Sequence, residues 1–233
     1  MPQTIAIRHA NSDKKPRRPV DVSLYHFVWI CLACSFVGLV GETAVSYLVD
    51  GRWESRAGFV IGPLSPIYGV GAVLITLFVN PLRNRPLIVQ FLAAALLGGM
   101  FEYLAGWFFE TRYGIVAWSY ADQPFNLHGH TSLGIALVWG AIGVAWTTWV
   151  LPFLVRLANR IPEQTRVPLT ALVAAFLVVD GALTLGALDC WFLRTAGFEP
   201  ETALQQFFAT YFNDSFMRTR FETMSMWPAL ASR

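Results

Sequence analysis

The sequence predicts an all-α protein, a polytopic membrane helix bundle of about five transmembrane helices with a C-terminal amphipathic tail. Of its 233 residues, 55% are hydrophobic and 14% are charged, and the mean hydropathy is +0.48, which lies outside the averages for soluble domains. The apolar residues also form blocks of about twenty, the length that crosses a bilayer core. These blocks are 24–49, 59–79, 87–109, 132–154 and 167–188. A soluble helical protein with a very apolar core is the weaker alternative.

Polar segments divide the chain into three regions. Residues 1–23 form a basic tail without a signal-peptide cleavage pattern, residues 24–190 form the helix bundle, and residues 191–233 form a polar, amphipathic tail. Arginine and lysine are enriched in cytoplasmic loops. The arginines of the basic N-terminal tail, and those of the second and fourth connections between the apolar blocks, fall on one side of the membrane. We expect a multi-pass protein of the bacterial cytoplasmic (inner) membrane with its N-terminus inside. We expect the lipid bilayer to surround the protein, and nothing in the sequence indicates that it binds nucleic acid.

The first block carries a stripe of small residues with one carboxylate. Ser35, Gly38 and Gly41 recur at helical spacing, and Glu42 lies beside them. Such stripes allow helices to approach closely in lipid. An ionisable residue within a span should face the bundle and find a partner, although Glu42 could instead reach the outer interface. Arg56, in the link that follows, could neutralise it.

The second block begins with glycines and prolines that a plain membrane helix would not contain. Proline removes a backbone donor and clashes with the preceding turn, so this segment should be broken or unwound. Within a bilayer, such backbone is tolerated only where it is buried in protein or lines a watery cavity. We therefore predict a polar site here, or a tightly packed junction. The candidate residues are Gly62, Pro63, Ser65, Pro66, Tyr68 and Gly69.

The third block repeats the pattern of the first, with Glu102 among glycines and Tyr103 beside it. If the first three helices pack together, Glu42 and Glu102 would converge at similar depth beside the broken segment. Two like charges brought close raise one pKa, so the pair could hold a proton or bind a cation. Glu110, at the end of this block, and Asp180, in the middle of the last one, are second-tier candidates.

The loop after the third block is dense in aromatic residues, which could form an interfacial belt or a lid over the broken segment. Its candidate residues are Trp118, Tyr120, Asn126, His128, Gly129 and His130. Two histidines separated by one residue are only a weak indication of zinc, and we predict no metal and no cofactor. No nucleophile signature and no phosphate-binding loop occur, so we assign no catalytic residue and do not expect an enzyme.

Two further features have alternatives of their own. Cys31 and Cys34 match a redox spacing, but they lie in an apolar helix without a basic neighbour, which favours core packing. Residues 203–221 have aromatic residues at helical spacing. This pattern fits a helix lying in the membrane interface, or one packed on an external loop.

Four ordered motifs resemble one known family. They are Arg56-Ala-Gly-Phe-x-x-Gly-Pro-x-x-Pro-Ile-Tyr-Gly-x-Gly71, Phe101-Glu-Tyr103, Trp118-Ser-Tyr120 leading to Phe125-Asn-Leu-His-Gly129, and Trp139-Gly140. The chain resembles the "Putative ABC-transporter type IV" permease family, or CmpB-type integral membrane proteins, over residues 25–152. The resemblance implies a permease that needs a separate ATPase subunit at its inside loops, which are short here. Ser119 and His130 depart from the aspartate and arginine common in that family.

Three kinds of function are compatible with these observations. The first is a transporter permease-like component, with Glu42, Glu102 and the broken segment forming a polar site near the outer leaflet. The second is a non-transporting membrane scaffold or assembly factor that uses the aromatic loop. The third, and weakest, is a membrane-embedded enzyme with Glu102 or Glu110 as acid or base and the loop histidines as helpers.

Overall fold

The computed structural model describes residues 17–231, apart from the side chain of Asp50. The predicted basic tail lies for the most part in residues 1–16, outside the described residues. The helices are α1 (Leu24–Asp50), α2 (Pro66–Phe78), α3 (Leu87–Tyr113), α4 (Leu133–Ala145), α5 (Leu151–Ala158), α6 (Glu163–Thr195), α7 (Ala203–Tyr211) and α8 (Asp214–Arg220). A π-helical turn at Trp146–Val150 joins α4 to α5, and 3-10 turns occupy Asn80–Asn84 and Pro228–Leu230.

Four two-residue strands complete the described elements. They are β1 (Ile115–Val116), β2 (Asn126–Leu127), β3 (Thr131–Ser132) and β4 (Ser225–Met226). β1 pairs with β4, and β2 pairs with β3, both antiparallel. The first pair fastens the C-terminal tail to the chain just after α3, and the second forms a hairpin ahead of α4.

Within residues 17–231, four helices are long and apolar enough to cross a membrane: α1, α3, the continuous α4–α5 unit (Leu133–Ala158) and α6. Their exposed side chains are largely apolar, as expected for surfaces that face lipid. The predicted class, an all-α membrane bundle, is confirmed. We call the end that carries residues 17–23, 79–86 and 159–162 the arginine-rich end, and the end that carries residues 51–65, 114–132 and 196–231 the loop end.

The second predicted span is helical only in part. α2 has 13 residues, so at about 1.5 Å per residue it is about 20 Å long, against about 30 Å for a bilayer core. It begins at Pro66, a first-turn position where the missing N–H of proline is tolerated. Residues 58–65 are non-helical and fill the part of the bundle that α2 leaves open.

Glycines allow two pairs of helices to pack closely. α1 packs most extensively on α2, and α3 on α4, whereas α2 and α3 have few contacts. A Cβ added at Gly38 would lie 2.2 Å from Cγ of Tyr68, and one added at Gly98 would lie 2.2 Å from Cγ of Trp139. No side chain fits at those separations, so both positions require glycine. The weak α2–α3 contact leaves a crevice between the two pairs.

The C-terminal tail packs on the loop end. Phe208 of α7 is buried and its ring contacts Gly186 of α6. Phe221, which follows α8, is also buried, and its ring stacks on Trp191 with centroids 6.5 Å apart. The tail thus packs on the bundle, while Leu204 and other apolar side chains of α7 remain exposed. The three cysteines, all within the described residues, are free thiols.

Candidate functional site

The crevice between the helix pairs contains a cavity of about 550 Å³ at the loop end. Its lining comes from α1, the non-helical segment before α2, α2, α3, the aromatic loop, α4, α6 and the residues after α8. Eight predicted site residues are among those that line it: Glu42, Arg56, Ser65, Pro66, Tyr68, Glu102, Trp118 and Tyr120. Most of the remaining lining is apolar or aromatic, so the polar groups are concentrated around the two glutamates.

Glu42 is one of the two glutamates that line the cavity. α1 continues from Glu42 to Asp50, about 12 Å along the helix axis, so the carboxylate lies within the span. The Tyr68 hydroxyl donates to it at 2.8 Å, and Arg56 Nη1 lies 3.6 Å from its Oε1. The structure thus places Arg56 where neutralisation across the link was expected. The same guanidinium also contacts Glu54 at 3.2 Å and donates to Ser46 at 2.8 Å.

Glu102 is the second glutamate that lines the cavity. It is buried, with 8% of the residue exposed. The Tyr120 hydroxyl donates to one carboxylate oxygen at 2.8 Å, and the Thr131 hydroxyl donates to the other at 3.3 Å. Trp139 of α4 also lines the cavity. Burial, followed by the nearby Glu102 carboxylate, raises the pKa of Tyr120, so Tyr120 remains a hydroxyl donor at neutral pH. Glu42 and Glu102 therefore line one cavity from separate helices.

The broken segment satisfies every backbone N–H from Gly58 to Ser65 without forming a helix. Gly58 and Phe59 donate to the carbonyl of Leu64, Leu64 donates to Gly62, and Ser65 donates to the carbonyl of Ser35 in α1. The three remaining donors are Val60, Ile61 and Gly62, and they bond to side chains of α6. Because lipid offers no alternative partner, this pairing is what allows irregular backbone at membrane depth.

Asp180 is the main side-chain partner of that segment. It is fully buried, and its two oxygens accept from the N–H groups of Ile61 at 3.1 Å and Gly62 at 3.2 Å. Thr184, one turn further along α6, accepts from Val60 at 3.0 Å. Asp180 does not line the cavity. It positions the segment that does.

Arg220, at the end of α8, donates hydrogen bonds to backbone carbonyl groups of the same segment. Its guanidinium donates to the carbonyl oxygens of Phe59 at 2.7 Å and Ile61 at 3.0 Å, and also to that of Gly62. Burial lowers the pKa of Arg220, and Asp180 acts in the opposite direction. The sequence did not indicate Arg220 or Thr184, because an arginine in a polar tail and a threonine in an apolar helix carry no local signal.

The aromatic loop contributes unequally to the cavity. Trp118 and Tyr120 line it, and Trp118 Nε1 also donates to the carbonyl of His130 at 2.9 Å. His130 is buried against Gly106, and its Nε2 lies 3.7 Å from a carboxylate oxygen of Glu110. His130 therefore packs on α3, away from the cavity lining.

Other predicted loop residues shape the hairpin rather than the cavity. The Asn126 side chain donates to the carbonyls of Ala121 and Gln123 and accepts from the N–H of Gly129. Gly129 has a φ of 74°, and His128, next to it, has a φ of 51°. The His128 ring lies 3.1 Å from the hydroxyl of Tyr103. Over residues 17–231, no three histidine, cysteine or acidic side chains come together as a metal-binding group.

Gly62, Pro63 and Gly69 act through the backbone. A Cβ at Gly69 would lie 2.2 Å from Oγ of Ser35, so glycine is needed where α2 meets α1. Gly62 presents its N–H to Asp180, and Pro63 lies at the bend between the two halves of the segment. Trp139, which lines the cavity, was quoted in the resemblance but not among the predicted site residues.

A comparison with known families gives one match. The model of the family described as "Putative ABC-transporter type IV" matches residues 29–185. The match extends beyond residue 152, the end of the region in which the quoted motifs lie, and it includes Asp180 and Thr184. No curated protein and no solved structure matches the chain. Because the family model covers more than half of the chain, the protein belongs to this ABC-transporter type IV family of membrane proteins.

Proposed function

We propose that the protein is a permease-like component of a membrane transport system, with a polar site for a proton or a cation at the loop end. The observation that carries this proposal is the shared cavity of Glu42 and Glu102 beside the broken segment. Transporters commonly build their sites from interrupted helices next to charged groups near the bilayer midplane. Membership of an ABC-transporter type family supports the same class of function.

The proposed orientation places the arginine-rich end in the cytoplasm of a bacterium and the loop end outside the inner membrane. Arg17, Arg18, Arg85, Arg156 and Arg160 are exposed at the arginine-rich end, as the positive-inside rule requires. At the loop end, Arg56 and Arg112 form ion pairs. Labelling of single cysteines with a membrane-impermeant maleimide on intact cells tests this orientation. Glu199→Cys should be labelled and Arg160→Cys should not, and the reverse result contradicts it.

A separate ATPase subunit, if it drives transport, would dock at the arginine-rich end. The connections there are compact. Asn80 pairs through its side chain with both backbone groups of Val20 at 2.9 Å, and Arg83 donates to the carbonyl of Arg18 at 3.0 Å. These contacts form a short, ordered surface and not a long coupling loop. The proposal therefore rests on the cavity, and the ATPase is a partner to be tested by co-purification.

Flux through proteoliposomes tests the transport proposal. With an imposed pH gradient and an entrapped pH-sensitive dye, we expect proton movement with the wild-type protein and its loss in Glu42→Gln and Glu102→Gln. Glu199→Gln, an exposed glutamate of the tail, is the matched control and should leave the flux unchanged. Flux that is equal in the wild type, both cavity variants and protein-free liposomes would overturn the proposal.

A membrane scaffold is the second candidate, and one observation favours it. Phe125 is 82% exposed and Leu127 is 53% exposed at the β2–β3 hairpin, where they could meet a partner protein or the lipid interface. Phe125→Ala should then release co-purifying proteins while proton flux persists. Retention of all partners in that variant counts against the scaffold.

A further inference from the structure

The cavity is lined by more carboxylates than cationic side chains. Glu42 and Glu102 line it against one guanidinium, Arg56, which is shared with Glu54 at 3.2 Å. Among the described residues, no basic side chain forms a salt bridge with Glu102, and the groups that bond to it are neutral. A buried carboxylate without a cationic partner is stabilised by taking up a proton or by binding a cation.

The walls around the two carboxylates are aromatic. Tyr68, Phe101, Trp118, Tyr120 and Trp139 all line the cavity. Phe101 and Trp139 meet edge to face with their centroids 6.3 Å apart. The faces of such rings attract organic cations and repel anions, and an aromatic enclosure with a carboxylate is a recurring arrangement for ammonium ligands.

The size and the rim of the cavity indicate an organic molecule. A volume of about 550 Å³ lies within the range of small-molecule sites, about 300–1,000 Å³. Val70, Leu104 and Phe108 line the cavity while being 41%, 49% and 41% exposed. Leu104 and Phe108 belong to α3, which is long and apolar enough to cross a membrane, and Val70 belongs to the shorter apolar helix α2, so the rim faces lipid. A bare inorganic cation would leave most of this apolar wall without a partner.

We propose that the ligand of this site is a hydrophobic organic cation, an ammonium ion that carries aromatic or alkyl groups. This inference rests on the proposed function, because it names the substrate class of the same site. The ammonium centre lies between Glu42 and Glu102, and its apolar groups contact the aromatic walls and point towards the lipid-facing rim.

Calorimetric titration of the protein in lipid nanodiscs tests the proposal. Benzyltriethylammonium is the probe, benzenesulfonate is an anion of related size, and empty nanodiscs correct for partition into lipid. We expect saturable binding of the ammonium probe and none of the sulfonate. Glu42→Gln and Glu102→Gln should each weaken binding of the probe about tenfold, a change of about 1.4 kcal/mol. Glu199→Gln is the control and should bind as the wild type does.

The comparison of the two probes needs no variant, so it remains decisive if a glutamine variant fails to fold. Glu102→Asp, which retains the charge, should bind more tightly than Glu102→Gln. Sulfonate binding as tight as ammonium binding, or an ammonium affinity unchanged in both glutamine variants, overturns the inference. If the wild type binds neither probe, while proton flux still depends on Glu42 and Glu102, the inference fails and the transport proposal stands. If binding of the ammonium probe persists but the flux is independent of both residues, the transport proposal fails.

Discussion

Replacement of Asp180 should destabilise the protein by leaving backbone donors of the broken segment without acceptors. Asp180→Ala removes the carboxylate oxygens that accept from the part-buried N–H of Ile61 and from the buried N–H of Gly62. A donor that is left unsatisfied away from water costs about 1–3 kcal/mol, so we expect a loss of about 2–6 kcal/mol in the free energy of unfolding. Asp180→Asn keeps one acceptor oxygen in nearly the same volume and should lose about 1–3 kcal/mol.

The assay is SDS-induced unfolding in mixed micelles, followed by tryptophan fluorescence. Thr184→Val has nearly the same shape as the native side chain and removes one acceptor, that of the Val60 N–H, so it should fall within the range of Asp180→Asn. Glu163→Ala, at the exposed start of α6, should change the free energy by less than about 0.5 kcal/mol. If Asp180→Ala unfolds like Glu163→Ala, Asp180 does not hold the broken segment, and the reasoning is refuted.

Two further substitutions test the α1–α2 contact and the hydrogen bond from Tyr120 to Glu102. Gly38→Ala forces a methyl group to within 2.2 Å of Tyr68, so the free energy of unfolding should fall by about 1–3 kcal/mol in the same assay. Gly41→Ala places its methyl group in open space and should leave the free energy of unfolding unchanged. Equal effects of the two variants would contradict the α1–α2 contact. Tyr120→Phe removes a donor to Glu102 at 2.8 Å and should lose about 1.5–3 kcal/mol. Unchanged unfolding of Tyr120→Phe would show that this hydrogen bond contributes nothing.

The class of the protein and the position of the helix break could be predicted because both depend on local sequence. Block length and composition determine which segments can span lipid, and Pro63 and Pro66 remove donors wherever the chain takes them. The sequence could not give the start of α2, which is Pro66 and not residue 59. The non-helical stretch before it is stabilised by partners outside the segment, so its local pattern alone does not show where the helix resumes.

The polar site could be predicted only in part, for the same reason. A carboxylate in a span must find a partner, which was enough to select Glu42, Arg56 and Glu102. It was not enough to assign Asp180, whose partners are backbone groups 118 and 119 residues away in the chain. Arg220 reaches the same segment across 158–161 residues. Backbone acceptors have no side-chain signature, so only the fold reveals these contacts.

The central claim is that two acids from separate helices face one cavity beside a broken helix. Cross-linking of Glu42→Cys with Glu102→Cys by a flexible reagent that carries two thiol-reactive maleimide groups, in a background without the three native cysteines, measures this most directly. The matched control is Gly41→Cys with Glu102→Cys, because Gly41 is exposed on α1 with nothing near its Cβ position. We predict efficient cross-linking for the first pair and little for the second. Cross-linking of the control pair alone, or of neither pair, would contradict the account.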